Sequence, residues 1–212
     1  MKKHLGKVFI VLGIFCVLAA AALIWHNIKE NREAGEASAA ALDGVLAQIP
    51  SEVLEDRGDM PMVDVDGRTF VGILEIPSLG LTLPVQSEWS KENARVSICR
   101  YKGAVSTNDL ILAGHNYQEH LGTLKNINTG AEMIFTDMNG RSYYYEVTYM
   151  ETLGSGDVDA MDAGDWDLTV FTCTIGGASR VTVRSEYTGK FSATGEMPDI
   201  RKAVKESEHV RQ

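Results

Sequence analysis

The sequence predicts a mainly β protein: a closed antiparallel eight-stranded β-barrel with short helices, preceded by a transmembrane helix. Three features support this fold class. An uninterrupted apolar run occupies residues 8–25, and a run of this length is typical of a membrane span. From Phe70 onward the chain consists of short apolar runs separated by turn residues, a pattern typical of strands. The gaps between these runs rarely leave room for a long helix, which favours a barrel.

The apolar run predicts a membrane anchor. As a helix it would be about 27 Å long, close to the roughly 30 Å of a bilayer's hydrocarbon core. The three lysines in residues 1–7 favour a cytoplasmic N-terminus and therefore an external C-terminal domain. A cleaved signal peptide is the alternative, because residues 19–22 are small enough for a cleavage site. The length of the run, and the polar helix-forming segment behind it, favour an uncleaved anchor.

Residues 26–69 are expected to form a stalk helix and a linker. The segment 27–49 is rich in Ala and Glu, which favour helix, and Pro50 should end it. Residues 51–68 are acidic and contain Gly and Pro, which indicates a linker or loop. Apolar residues occur only in the last turns of the helix, which are therefore expected to dock on the domain: Leu42, Val45, Leu46 and Ile49.

Residues 70–191 are expected to form the barrel, and residues 192–212 a polar C-terminal tail. The Asn-Gly pair within residues 137–141 predicts a β-hairpin, and residues 121–127 could make one short helix. The segments predicted as strands are FVGILEIP, LTLPVQ, DLILAG, AEMIFTD, SYYYEVTYMETL, DLTVFTCT and SRVTVRSEY.

The composition excludes several classes of function. The formal charge is −9 and the isoelectric point about 5.0, so the chain lacks the basic surface that binds nucleic acid. Three cysteines cannot build a disulfide framework, and no Cys-x-x-Cys pair is present to bind zinc. No cofactor is expected. Five aspartates between residues 157 and 167 could bind calcium, although carboxylates in such a loop are more often simply solvated.

Cys173 is the cysteine best suited to chemistry. Cys16 lies in the apolar run and Cys99 in a strand-like segment, so both are expected to be structural. Cys173 ends an apolar strand just before two glycines, and junctions of this kind often present functional side chains. The residues alone leave open a structural role for Cys173, and also a disulfide between Cys99 and Cys173.

His115 is the best-placed partner for that thiol. Of the five histidines, only His115 and His120 lie in the predicted barrel. His115 follows the strand DLILAG, whereas His120 lies in a polar loop and is expected to be solvated. A structural role for His115 stays open.

Two arginines are candidates for stabilising negative charge. Arg180 and Arg184 alternate on one face of the strand SRVTVR. Arg180 is nearer the turn that follows Cys173, if the two strands are antiparallel. A solvated position on the barrel surface is the alternative for either residue.

Three segments together resemble the sortase family of cell-wall transpeptidases. They are GHN at residues 114–116, TVFTC at 169–173 and SRVTVR at 179–184. The family has a Thr-Leu-x-Thr-Cys strand, an arginine on the next strand and a histidine after an upstream apolar strand; here Val170 stands in place of the leucine. The segment VGILEIPSLGLTLPV at 71–85 resembles the family's opening strands. The resemblance covers roughly residues 70–190 and implies a sortase-like barrel behind a membrane anchor.

The resemblance implies a role for each of these residues. Cys173 matches the nucleophile, His115 the general acid/base and Arg180 the residue that stabilises the oxyanion, with Arg184 as the second candidate for that role. Thr172 and Asn116, which adjoin the nucleophile and the histidine, are implied as substrate-binding residues.

The resemblance also implies a reaction and its partners. Family substrates are surface proteins with a sorting signal of the Leu-Pro-x-Thr-Gly type, cleaved after Thr through a cysteine thioester. The acyl group passes to an amine of a cell-wall precursor on a Gram-positive cell surface, with hydrolysis as a slow side path.

The subclass stays open. A single predicted span argues against the pilus-polymerising members. So does the sequence at residues 59–62, which lacks their Asp-Pro-aromatic lid. A papain-like enzyme is disfavoured because the histidine here precedes the cysteine, and an L,D-transpeptidase because the two are far apart in the chain. The remaining alternative is a non-catalytic, membrane-anchored β-domain that binds a surface ligand or partner.

Overall fold

The computed structural model describes residues 2–50 and 60–193, and it begins with one long helix. Helix α1 spans Lys2–Gln48 and ends two residues before Pro50. Its N-terminal part forms a unit of its own, Met1–Glu33. The large apolar side chains from Val8 to Ile28 are all more than half exposed, and the helix is long and apolar enough to cross a membrane. Such a helix is of the kind that anchors proteins in a bilayer.

The second unit, Ala34–Gln212, contains the strands. In the described part of the chain these are β1 Val63–Val65, β2 Arg68–Ile76, β3 Leu81–Gln86, β4 Ile98–Lys102, β5 Leu110–Gly114, β6 Glu132–Asp137, β7 Arg141–Gly154, β8 Leu168–Cys173 and β9 Ser179–Ala193. The short helices are α2 Asn93–Val96 and α3 Val158–Met161, with 3-10 turns at Pro77–Leu79 and Leu124–Asn126. The predicted helix at residues 121–127 is therefore reduced to one 3-10 turn.

Eight of these strands close into a barrel. The sheet order is β1-β2-β3-β4-β5-β8-β9-β7-β6, and a pairing between β2 and β6 closes it. The predicted mainly β, eight-stranded barrel is thus confirmed. Two pairings, β3–β4 and β5–β8, are parallel, which differs from the purely antiparallel arrangement predicted. Parallel neighbours need a longer connection than a hairpin; here α2 joins β3 to β4, and β6 and β7 come between β5 and β8.

Side chains that alternate along each strand fill the barrel interior. On β8, Leu168 and Val170 point inward and are fully buried, as is Val183 on β9. Their neighbours along each strand point outward, because successive side chains of a strand face opposite sides of the sheet. The outward residues of β8 and β9 therefore lie on the barrel surface, where they could form a site.

The C-terminal third of α1 packs on the outside of the barrel. Its buried residues recur every three or four positions, as expected for one helix face: Ala34, Ser38, Leu42, Val45 and Ile49. Leu42, Val45 and Ile49 join a cluster with Phe70, Ile73 and Met138. The predicted docking of the last turns is confirmed, and the contact extends back to Ala34. We call residues 34–49 the docked segment.

Two boundaries differ from those predicted. Residues 63–65, expected to be linker, form β1, because Val63 and Val65 pack against the docked segment's apolar cluster. The barrel strands begin at Arg68 and end at Ala193, slightly beyond the predicted 70–191. The remainder of the predicted tail, residues 194–212, and linker residues 51–59 lie outside the described residues. The hairpin predicted at 137–141 is confirmed, since it joins β6 to β7.

Candidate active site

Cys173 is the last residue of β8 and lies on its outer face. The alternation along β8 puts Leu168 and Val170 in the core and Phe171 and Cys173 outside. Cys173 is half-buried and free. The strand therefore presents a thiol at its carboxyl end, on the barrel surface.

His115 emerges at the same end of the sheet. Strand β5 runs parallel to β8, with Gly114 in register with Thr172. His115 and Cys173 are the residues that directly follow this pair. Because parallel strands end at the same edge of a sheet, both residues lie at that edge. The parallel pairing, which the sequence did not predict, is what brings together two residues 58 positions apart in the chain.

A tight hairpin between β8 and β9 puts Arg180 opposite Cys173. Arg180 is the register partner of Cys173 across the antiparallel pair β8–β9. The connecting loop has two glycines with positive φ, Gly176 at 86° and Gly177 at 75°, a conformation that glycine adopts at low cost. Thr174 closes the hairpin, since its backbone N–H donates to Ser179 O at 2.8 Å.

The three side chains line one pocket. Its cavity volume is about 250 Å³, and Cys173, His115 and Arg180 all border it. The other walls are mainly apolar: Trp89, Tyr101, Ala113, Val158, Met161 and Phe171. Tyr101 packs edge-on against Phe171 with ring centroids 5.4 Å apart, while Trp89 is 45% and Tyr101 40% exposed. Exposed aromatic side chains beside reactive groups are typical of a binding site.

A family model of the sortase domain matches residues 74–188, more than half of the chain. The chain belongs to the sortase family. A curated relative from Bacillus subtilis (strain 168), named "Putative sortase YwpE", is 30% identical over an 89-residue alignment that covers 39% of this chain and 86% of that protein.

Solved sortase structures share the fold. Sortase A of Listeria monocytogenes is 20% identical, with a TM-score of 0.51, over 60% of this chain and 92% of that one. Sortase C1 of Streptococcus agalactiae is 14% identical, with a TM-score of 0.51, over 57% and 68% of the two chains. These likenesses support the barrel and leave the subclass open.

Arg184 of this sortase has a structural position. It is 2% exposed, and its Nε donates to Glu151 Oε1 at 3.0 Å. Its other nitrogens donate to the carbonyls of Ala160 and Met161 and to Thr169 Oγ1. The solvated position considered for Arg184 is therefore wrong. Its side chain instead joins α3 to the sheet through these hydrogen bonds. Helix α3 forms one wall of the pocket.

Thr172 and Asn116 lie beside the pocket rather than inside it. Thr172 is 3% exposed, and its Oγ1 donates to Gly114 O at 2.9 Å, so its hydroxyl joins β8 to β5. Asn116 borders a second cavity of about 320 Å³, which Thr172 and Cys173 also line. Their assignment as substrate-binding residues stays a prediction.

His120 is not the solvated loop residue that was predicted. It is fully buried, with Nε2 3.3 Å from Ala34 O of the docked segment. Burial lowers its pKa to about 4, with a smaller contribution from His115 in the same direction. The prediction was wrong because α1 covers this loop, a contact between residues 86 positions apart.

The other thiol is buried, as expected. Cys99 has no exposed surface, and burial raises its pKa to about 12. All three cysteines are free, so the disulfide left open between Cys99 and Cys173 does not form.

The five acidic residues of the loop before β8 do not converge on one point. Asp157 accepts from Gly154 N, Asp162 pairs with Lys102 Nζ at 2.8 Å, and Asp167 accepts from Tyr187 N. In residues 2–50 and 60–193, no group of three His, Cys, Asp or Glu side chains could hold a metal ion.

Sequence reasoning missed the apolar walls of the pocket. Trp89 and Tyr101 come from the loop after β3 and from β4, far in the chain from Cys173. An isolated aromatic residue in the sequence does not by itself indicate that it lines a binding pocket. Only closure of the sheet brings these residues beside Cys173.

Proposed function

We propose that this sortase is a membrane-anchored cysteine transpeptidase. It would cleave a Leu-Pro-x-Thr-Gly-like sorting signal after Thr through a thioester on Cys173, and transfer the acyl group to a cell-wall amine. The observation that supports this most is the convergence of Cys173, His115 and Arg180 on one pocket from the ends of β5, β8 and β9.

The three groups are suited to acyl transfer. A cysteine thiolate attacks the carbonyl carbon of the scissile peptide bond and forms a tetrahedral oxyanion. Arg180 is permanently charged and offers several N–H donors to that oxygen. As the C–N bond breaks, His115 gives a proton to the departing amine, leaving a thioester on Cys173.

The second half of the reaction uses the same groups. His115, now neutral, accepts a proton from the incoming amine as the amine attacks the thioester carbonyl. Collapse of the second tetrahedral intermediate releases the Cys173 thiolate and the new amide. Water could replace the amine, which would make hydrolysis the side reaction.

The pocket walls suit an apolar, stiff peptide. Trp89, Tyr101 and Phe171 provide aromatic surface next to Cys173, which favours burial of a leucine side chain. A proline in the signal fixes its own φ, so less conformational entropy is lost on binding a preformed groove.

The location proposed is the outer face of a Gram-positive cell membrane. Helix α1 supports an anchored protein through its exposed apolar surface. The partners would be surface proteins that carry the sorting signal and a cell-wall precursor that supplies the amine.

The experiment uses the full chain in detergent, peptides of the Leu-Pro-x-Thr-Gly type and a panel of amine acceptors. Mass spectrometry should detect cleavage after Thr, a thioester on Cys173 and an amide product with the acceptor. Cys173→Ala should remove all three signals, and Cys99→Ala serves as the matched cysteine control. If no peptide forms a thioester and Cys173 reacts no faster than an exposed reference thiol, the transpeptidase proposal fails and the domain is a binding module.

A further inference from the structure

The docked segment contacts the loop that carries His115. We call residues 115–122 the His115 loop. The first turn of the docked segment meets this loop at two points, through Ala34 and Gly35. Ala34 O lies 3.3 Å from His120 Nε2, and a Cβ on Gly35 would come within 2.8 Å of Glu119 Cγ. The helix backbone and the loop are thus in direct contact.

The contact between His120 and Ala34 O requires one tautomer of the His120 imidazole. A carbonyl only accepts a hydrogen bond, so Nε2 must carry the proton and donate it to Ala34 O. Both groups are buried, since His120 has no exposed surface and Ala34 is 5% exposed. A buried hydrogen bond of this kind resists displacement because neither partner can turn to water instead.

A row of aromatic rings joins His120 to His115. Tyr117 lies between them, with its ring centroid 5.5 Å from that of His120 and 5.2 Å from that of His115. These distances fall in the range of favourable ring contacts. A displacement of His120 would therefore pass through Tyr117 to the imidazole that borders the pocket.

Backbone hydrogen bonds within the His115 loop hold the residues that carry these rings close together. The N–H of His120 donates to Tyr117 O at 3.0 Å, and the N–H of Gly122 donates to the same oxygen at 2.8 Å. The N–H of Leu121 donates to His115 O at 3.4 Å. A Cβ on Gly122 would come within 2.7 Å of two carbonyl oxygens of the loop, so the turn is tightly closed.

We propose that His120 is a positioning residue for catalysis: anchored on Ala34 O, it holds His115 in place through Tyr117. The first turn of the docked segment therefore contributes to the geometry of the active site, although it lies outside the barrel. This inference rests on the proposed transpeptidase function. Because its pKa is near 4, His120 stays neutral near pH 7 and does not replace His115 as an acid.

The test compares two substitutions at His120 in the full chain. His120→Leu keeps an apolar side chain of similar bulk but cannot donate to Ala34 O. His120→Gln can place an amide N–H near the position of Nε2. We expect His120→Leu to lower kcat roughly tenfold or more with KM within about twofold, because small misplacements of a catalytic group are costly. His120→Gln should recover most of that loss.

Two glycines of the docked segment supply a matched pair. Gly35→Leu inserts a side chain at the contact with Glu119 and should lower kcat as His120→Leu does. Gly44→Ala puts a Cβ 2.4 Å from Val65 Cγ1, so it disturbs the same helix where it meets β1, away from the His115 loop. Gly44→Ala should lower the melting temperature and leave kcat within about twofold.

A second measurement separates this inference from the proposed function. In a Cys16→Ala background, the rate of Cys173 alkylation by iodoacetamide at pH 7 reports the environment of the thiol without any peptide substrate. We expect His120→Leu and Gly35→Leu to lower this rate several-fold, and Gly44→Ala to leave it unchanged. If wild-type protein cleaves no peptide, the proposed function fails, while the alkylation rates still decide the role of His120.

Two results would overturn the inference. One is a wild-type alkylation rate and a wild-type kcat in folded His120→Leu and Gly35→Leu. The other is an equal loss in Gly44→Ala, which would mean that docking as a whole, rather than the contact with the His115 loop, affects the site. If His120→Leu does not fold, Gly35→Leu and His120→Gln carry the same comparison.

Discussion

Cys173 and Arg180 are register partners on the adjacent strands β8 and β9, joined by the short hairpin of residues 174–178. Arg184 lies four residues further along β9 and faces outward like Arg180, but it is buried under α3. The two arginines therefore share a face of the sheet and have different environments. That difference can be measured.

Alanine substitutions should separate the two arginines. Arg180→Ala should lower kcat by roughly 10²–10³-fold, the usual loss for one oxyanion donor, with little change in melting temperature. Arg184→Ala should instead destabilise the protein by roughly 3 kcal/mol, because it leaves Glu151 and two backbone carbonyls without their partner. Steady-state kinetics and thermal unfolding of both variants make the test. A larger loss of kcat in folded Arg184→Ala than in Arg180→Ala would reverse the assignment.

The cysteines should differ in their reactivity towards an alkylating agent. Cys99 is fully buried and its pKa is about 12, so its thiolate is scarce throughout pH 6–9. We expect peptide mapping after brief iodoacetamide treatment at pH 8 to find label on Cys173 and none on Cys99. In urea both should be labelled equally. Labelling of native Cys99 at a comparable rate would contradict the buried environment.

Stability should depend on pH through Glu75. This carboxyl on β2 is 8% exposed, and burial raises its pKa from 4.5 to about 7, helped by the nearby Glu132. Between these two pH values the folded state holds a proton that the unfolded state releases, so the free energy of unfolding falls as pH rises. Above pH 7 the loss from this group is on the order of 3 kcal/mol.

Glu75→Gln isolates that contribution. The variant should melt at a higher temperature than wild type at pH 8 and at nearly the same temperature at pH 4.5. Glu132→Gln, which removes the exposed neighbour, should show a smaller change in the same direction. An equal difference between variant and wild type at both pH values would mean that the Glu75 proton is not involved.

The Thr172 hydroxyl should support the site by holding two strands together. Thr172→Val keeps the side-chain shape but loses the bond to Gly114 O, and leaving that carbonyl unsatisfied should cost about 1 kcal/mol. We expect a lower melting temperature and a modest loss of kcat, recovered by Thr172→Ser. A change in KM alone would favour the substrate-binding role that the sequence predicts.

The sequence predicted the strands well because their signals are local. The runs at residues 71–85 and 168–173 each contain enough apolar and β-branched residues to be recognised without any partner. The Asn-Gly turn between β6 and β7 is equally local. Cys173, His115 and Arg180 were recognisable because each stands at the end of such a run, in an order that resembles the sortases.

The local sequence pattern does not predict which distant elements pack over a residue and bury it. His120 looked like a loop residue because its neighbours are polar, and Arg184 looked like a surface residue because its strand alternates. Both are buried by elements distant in the chain, His120 by the docked segment and Arg184 by α3. Burial of a polar residue depends on its partner's position, and that position is a property of the packed molecule.

By itself, then, the sequence determined the apolar N-terminal helix, the strands and the hairpin at residues 137–141, because hydrophobic periodicity and turn chemistry act over a few neighbouring residues. The three candidate catalytic residues are a prediction from the resemblance to the sortases. The tertiary structure decided the parallel pairing of β5 with β8, the separation of Arg180 from Arg184 and the contact between His120 and Ala34. Each of these joins residues that are far apart in the chain or depends on burial by a distant element, and only the closed barrel and the helix packed on it bring such residues together.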